Sequence, residues 1–175
     1  MTAALLSAVI VAVPQAPPAV ERWLEATAGA KPSHGVPPHV TILFPFVPAA
    51  VVDRELVDEL RALAGRFEPF AFELRELRRW PGVLYLAPEP DAPFVELTEA
   101  FVAEYPEHPP YGGEHETIVP HLTVAQGEEE ALTAAAADVR PSLPLRARAR
   151  ELLFLAERER DVWQAAARIS LGTRT

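Results

Sequence analysis

The apolar residues of this chain come in short runs whose period changes repeatedly, with proline and glycine at the changes. Residues 5–13 are almost continuously apolar and stop at Pro14, which predicts a buried first strand. Residues 17–28 put Val20, Trp23, Leu24 and Thr27 on one helical face, with proline at the start and Gly29 after the end. Residues 40–44 form a β-branched and aromatic run between Pro38 and Pro45, a short strand with its prolines at the margins. Residues 48–65 give the clearest helix. Val52, Leu56, Leu60 and Leu63 make its stripe, acids crowd its first half and Gly65 stops it.

The second half continues in the same way. Phe70, Phe72 and Leu74 alternate within a strand over 67–77. Pro81-Gly82 turns the chain, residues 83–86 return, and Pro88-Glu89-Pro90 ends the return. Asp91 stands where a cap is needed for a helix over 92–104 that buries Phe94, Leu97 and Phe101. A loop over 105–116 leads to a short strand, and an alanine-rich helix covers 128–139. Residues 143–156 and 162–171 are strand-like about the charged turn 157–161. This mixture of elements is α+β.

One pattern recurs. Pro38-His39-Val40-Thr41 returns 82 residues later as Pro120-His121-Leu122-Thr123. Random placement of these residue types would give roughly 0.03 copies. On a strand, His and Thr two apart share a face and lie about 7 Å from one another. Each motif strand is followed by a helix and then a strand pair, with turns near Trp80 and Asp161. The repeat predicts two intimately packed lobes related by a pseudo-twofold axis, with residues 1–175 as one domain.

Facing each other, two imidazoles and two hydroxyls suit phosphodiester chemistry. A neutral His can take a proton from the attacking water while an imidazolium protonates the leaving oxygen. Imidazole alone has an unperturbed pKa near 6.5, so both forms coexist near neutral pH. Thr41 and Thr123 can hold the non-bridging oxygens.

The two His-x-Thr strands resemble those of the 2H phosphoesterases, in particular the bacterial 2′-5′ RNA ligase-like proteins, or RNA 2′,3′-cyclic phosphodiesterases. The likeness is strongest at His39-Val40-Thr41 with Phe44-Pro45-Phe46, and at Val119-Pro120-His121-Leu122-Thr123. The Phe-Pro-Phe tail departs from the Phe-Leu-Gly ending common in the RNA-acting branch. The resemblance implies a bilobal architecture, each lobe an antiparallel sheet with outer helices, and a cleft between them. It implies catalysis by His39 and His121, phosphate binding by Thr41 and Thr123, and no metal or cofactor. The substrate it implies is a 2′,3′-cyclic phosphate on RNA or a nucleotide. The alternatives are another small cyclic or 2′-5′-linked nucleotide, or a non-catalytic homologue that binds a nucleotide or a protein.

Composition narrows the partners. There is no cysteine, which removes thiolate nucleophiles and Cys-based metal sites. A metal site from His34, His39, His108, His115 and His121 with Glu114 and Glu116 is conceivable, but the spacings match no tight ligand pattern. The net charge is −9 and Lys31 is the one lysine, so extended RNA binding is not expected unless the arginines gather in one place. A small nucleotide or an RNA terminus fits this charge. Arg146, Arg148 and Arg150 are expected on one strand face, either lining the cleft or discouraging edge pairing. Tyr111, between Pro110 and Gly112, is a candidate lid residue that stacks on a base. The first strand lacks a basic leader and is too short to span a bilayer, so a cytoplasmic monomer without membrane contact is expected.

Overall fold

The computed structural model describes residues 4–29 and 33–172. Residues 30–32, among them Lys31, at the start of the loop over 30–38, lie outside them. Strand β1 (Ser7–Ala12) leads to helix α1 (Pro18–Thr27), strand β2 (His39–Leu43) and helix α2 (Arg54–Ala64). A hairpin of β3 (Phe70–Trp80) and β4 (Val83–Glu89) precedes α3 (Ala92–Glu104), β5 (Leu122–Gln126) and α4 (Glu129–Val139). The chain closes with β6 (Leu145–Ala149), β7 (Glu151–Glu159) and β8 (Val162–Ser170).

The strands form two antiparallel sheets of four. Sheet A has the order β2-β1-β7-β8, and sheet B the order β5-β4-β3-β6. Strand β1 is flanked on both sides, which is why its sequence is apolar throughout. Its one hydroxyl, on the fully buried Ser7, donates to the carbonyl of Val47 at 2.6 Å. Helices α2 and α3 pack on sheet A, and α1 and α4 on sheet B. A single apolar cluster runs from Val9, Val40 and Phe154 in sheet A to Leu74, Leu86 and Val124 in sheet B. The lobes therefore share one core.

Several boundaries differ from the sequence expectation, each for a local reason. The helix expected over 48–65 is two pieces, because Asp53 in extended conformation starts α2 by accepting from the Leu56 amide at 2.9 Å. At α3 the cap is absent: Asp91 is already helical, and its backbone carbonyl takes the Phe94 and Val95 amides. Pro88 lies inside β4, opposite Leu74 and beyond the last residue that pairs with β5, so no ladder bond is lost to it.

The largest difference concerns the strand expected over 143–156. It breaks at Arg150, where the chain leaves sheet B and enters sheet A, so β6 and β7 belong to different sheets. The hairpin that follows each motif strand also joins the opposite sheet. Strand β2 shares a sheet with β7 and β8, and β5 with β3 and β4. The repeating unit is thus strand, helix, motif strand, helix (β1-α1-β2-α2 and β4-α3-β5-α4), with the two halves interlaced.

Candidate active site

The motif strands are edge strands of their sheets and approach each other where the lobes meet. Along β2, Val40 and Ile42 point into the core while His39 and Thr41 stay half-buried on the face without helices. Along β5, Leu122 and Val124 are buried while His121 and Thr123 face the other way. The period of two expected from sequence is the period observed.

Both imidazoles are fixed in the same manner. Nδ1–H of His39 donates to the Pro37 carbonyl at 2.8 Å, and Nδ1–H of His121 to the Val119 carbonyl at 2.7 Å. A carbonyl can only accept, so Nδ1 carries the hydrogen and Nε2 is the nitrogen left for chemistry. The prolines of the motif contribute to this. Pro38 and Pro120 hold the residue before them extended, which sets the direction of the carbonyl that each histidine uses.

Their electrostatic environments then diverge. Burial lowers the proton affinity of His39, the Pro37 hydrogen bond opposes this, and the charge of His121 lowers it further. Burial lowers His121 as well, the Val119 bond opposes it, and the added repulsion comes from His115.

Aromatic rings surround His121. Trp80 meets it edge to face at 4.8 Å between centroids, Tyr85 lies at 5.8 Å, and Tyr111 lies nearly parallel at 6.3 Å. Trp80 and Tyr85 are stacked on each other at 4.0 Å. Neither was picked out from the sequence. The signal for Tyr85 was present in the alternation of β4, where Val83, Tyr85 and Ala87 share the face of Thr123. Trp80 was legible only as a turn marker.

Tyr111 adjoins the site from the loop before β5. Its backbone is left-handed at φ 52°, and its amide donates at 2.6 Å to the carbonyl of Phe44, just after β2. Burial raises the phenol's pKa and Thr41 moderates the rise, so the phenol remains a proton donor. Tyr111 thus touches both motifs. In this conformation its ring stacks on His121.

The loop ahead of His39 is tied to the last hairpin. His34 N–H donates to the Asp161 carbonyl and Trp163 N–H to the His34 carbonyl, each at 2.8 Å. Gly35, at φ +88°, lies so close to Trp163 that an added Cβ would be 2.3 Å from its carbonyl oxygen. His34 therefore anchors this loop, while His108 packs on Phe46 and His115 on Tyr111. Among the described residues no three His, Asp or Glu side chains gather as a metal ion would require.

Arg146 and Arg148 do lie on the helix-free face of sheet B, but Arg150 falls at the crossover between β6 and β7 and leaves that face. The same face carries Glu73, which pairs with Arg75 and Arg146, and Glu76, which pairs with Arg78. Strand β6 is a sheet edge, and this ion-paired surface matches the edge-protecting reading. A hollow of about 460 Å³ at Arg75, Glu76, Leu77, Arg140, Leu143 and Pro144 lies away from the histidines.

The sequence profile of the 2′-5′ RNA ligase superfamily matches residues 12–161, a span that includes both motifs. The chain belongs to this superfamily, the 2H phosphoesterases. A Bacillus pumilus (strain SAFR-032) protein named "Putative phosphoesterase" is 30% identical over 94 residues, 52% of this chain and 53% of that protein. The match thus spans about half the length of that relative. Among solved structures, E. coli LigT complexed with 3′-AMP aligns over 98% of this chain and 100% of its own, at TM-score 0.58 and 16% identity. A structure described as a phosphoesterase aligns over the same shares at TM-score 0.61 and 16% identity. TT0787 of Thermus thermophilus aligns over 97% of this chain and 100% of its own, at TM-score 0.58 and 18% identity. At these identities the likeness establishes the bilobal fold of the superfamily. No described helix is long and apolar enough to cross a membrane.

Proposed function

We propose that the protein is a metal-independent phosphodiesterase that opens a 2′,3′-cyclic phosphate on a nucleotide or an RNA end. The observation that carries this reading is the matched pair of Nδ1–H hydrogen bonds to the Pro37 and Val119 carbonyls. They leave two Nε2 atoms, on neighbouring motif strands, as the free proton-transfer groups of the cleft. One neutral Nε2 takes a proton from water as its oxygen bonds to phosphorus. The bond from phosphorus to a ribose oxygen breaks, and the other imidazolium delivers its proton to that oxygen. The hydroxyls of Thr41 and Thr123 stabilise the charge gathering on the non-bridging oxygens. A nucleotide-sized ligand is in keeping with the net charge of −9, and E. coli LigT has been crystallised with 3′-AMP and with phosphate.

The test is a product-resolved assay on the four 2′,3′-cyclic nucleotides, short cyclic-ended oligonucleotides and 2′-5′-linked dinucleotides, with and without EDTA. Turnover of a cyclic phosphate that survives chelation supports the proposal. Binding of these ligands with turnover of none would identify a non-catalytic homologue. Loss in EDTA with recovery in zinc or manganese would require a metal site.

A further inference from the structure

We propose that the nucleobase of the substrate stacks on Trp80, which puts the ribose beside His121 and makes His121 the general acid and His39 the general base. The inference rests on the phosphodiesterase reading above and assigns the two roles that the pseudo-symmetry leaves equivalent.

The cleft is symmetric in its motifs and asymmetric in its walls. Trp80, Tyr85 and Tyr111 all lie within ring-to-ring distance of His121. Among the described residues no aromatic ring abuts His39, whose neighbours across β1 are Ala12 and, beside Thr41, Ile10. A base gains about 1–3 kcal/mol by stacking on an aromatic side chain. On the corresponding face of sheet A, Phe44 and Trp163 pack edge to face on each other at 6.1 Å, so among the described residues it is the sheet B wall that sets a ring beside a motif histidine. One face of Trp80 lies against Tyr85, and the ring as a whole is only half-buried, so it has surface to offer a ligand.

The roles follow from in-line displacement. Water enters opposite the oxygen that leaves, so one histidine serves the water and the other serves the ribose. A base on Trp80, 4.8 Å from His121, holds its ribose on the His121 side. Nε2–H of His121 then protonates the departing 2′ or 3′ oxygen, and Nε2 of His39 accepts the proton of the water. After release, His39 holds the proton and His121 has lost one. A transfer through solvent restores the starting forms.

Two measurements test the proposal. The first uses substrates in which sulfur replaces the ribose oxygen that leaves, since a thiolate departs without a proton. His121→Ala should fall at least about 100-fold on the oxygen substrate and recover most of that loss on the sulfur one, whereas His39→Ala should stay inactive on both. Recovery by His39→Ala instead, or equal behaviour of the two, overturns the assignment. The second measurement is Trp80→Leu, which keeps an apolar side chain at the position. It should raise KM for 2′,3′-cyclic nucleotides roughly tenfold while leaving competitive inhibition by inorganic phosphate unchanged. An unaltered KM overturns the platform. If the wild-type protein opens no cyclic phosphate, the functional reading itself fails, a different result from either of these.

Discussion

Around His39 the neighbours are a carbonyl and aliphatic side chains; around His121 they are a carbonyl and three aromatic rings. The part held in common comes from the repeated residues. Proline, histidine, an apolar residue and threonine suffice to place the imidazole, select its tautomer and keep the hydroxyl on the same face. The part that differs comes from residues that the two copies of the repeat do not share: Trp80 at the β3–β4 turn, Tyr85 in β4 and Tyr111 in the loop before β5. The repeated residues supply a matched pair of imidazoles, and the unlike surroundings tell the two apart.

The largest expected effect tests the matched half of this comparison. His39→Ala and His121→Ala should each reduce kcat/KM on the true cyclic substrate by about 10²-fold or more, the contribution of one acid–base group. The double variant should be little worse than either single one, since both act in one step. A folded single variant with wild-type turnover would show that the two sites are not partners. Next come the hydroxyls. Thr41→Ala and Thr123→Ala should each cost about 1–3 kcal/mol of transition-state stabilisation, read from kcat/KM at unchanged stability.

Gly35→Ala tests whether the first site depends on its anchor in the last hairpin. A side chain there meets the Trp163 carbonyl in a backbone region that disfavours it, which should destabilise the fold by about 1–3 kcal/mol in chemical denaturation. The imidazole resonance of His39 should shift while that of His121 stays in place. Unchanged stability would mean that the loop feeding Pro37 adapts freely.

The smallest effects concern pH. Both imidazoles are held below the ordinary value near 6.5, so the unfolded chain binds protons more readily than the folded one as pH falls below 6.5. Stability should be fully present above that pH and decline down to the folded values. NMR titration should find both histidines titrating on the acid side, as a coupled pair. Because catalysis needs one proton shared between them, kcat/KM should peak below pH 6.5. Inorganic phosphate should move both titrations upward. His115→Gln removes a repulsion felt by His121 and should raise the titration of that histidine slightly. Histidines that titrate above 6.5 in the free protein would contradict the burial of the site.

Much of this arrangement was legible in the residues. The period of two through His39-Val40-Thr41 and His121-Leu122-Thr123 fixes which side chains leave the core, and the flanking prolines mark where each strand begins. The α+β composition and most element boundaries follow from the same patterns. The exchange of hairpins between the halves was not legible, because a strand's sequence records that it is buried and not which neighbour buries it. Arg150 carries no sign that the chain changes sheets there. Trp80 and Tyr85 were missed for a related reason: an aromatic residue on a strand looks like packing until its partner across the lobes is known. Tyr111 stands out in sequence by its place between Pro110 and Gly112, but its direction depends on a hydrogen bond to Phe44, far away in sequence.

The pairing of β1 with β7 also bears on how the protein comes into being. Ile10 pairs with Leu153, so the sheet that carries His39 closes only when β7 has been made. A ribosome that has just completed β5 has made both histidines and both threonines, yet sheet A still lacks half of its strands. Until β7 is added, β1 and β2 have no other strand to complete their sheet. A chain clipped before β7 would contain every residue of the motifs without the sheet that positions the first.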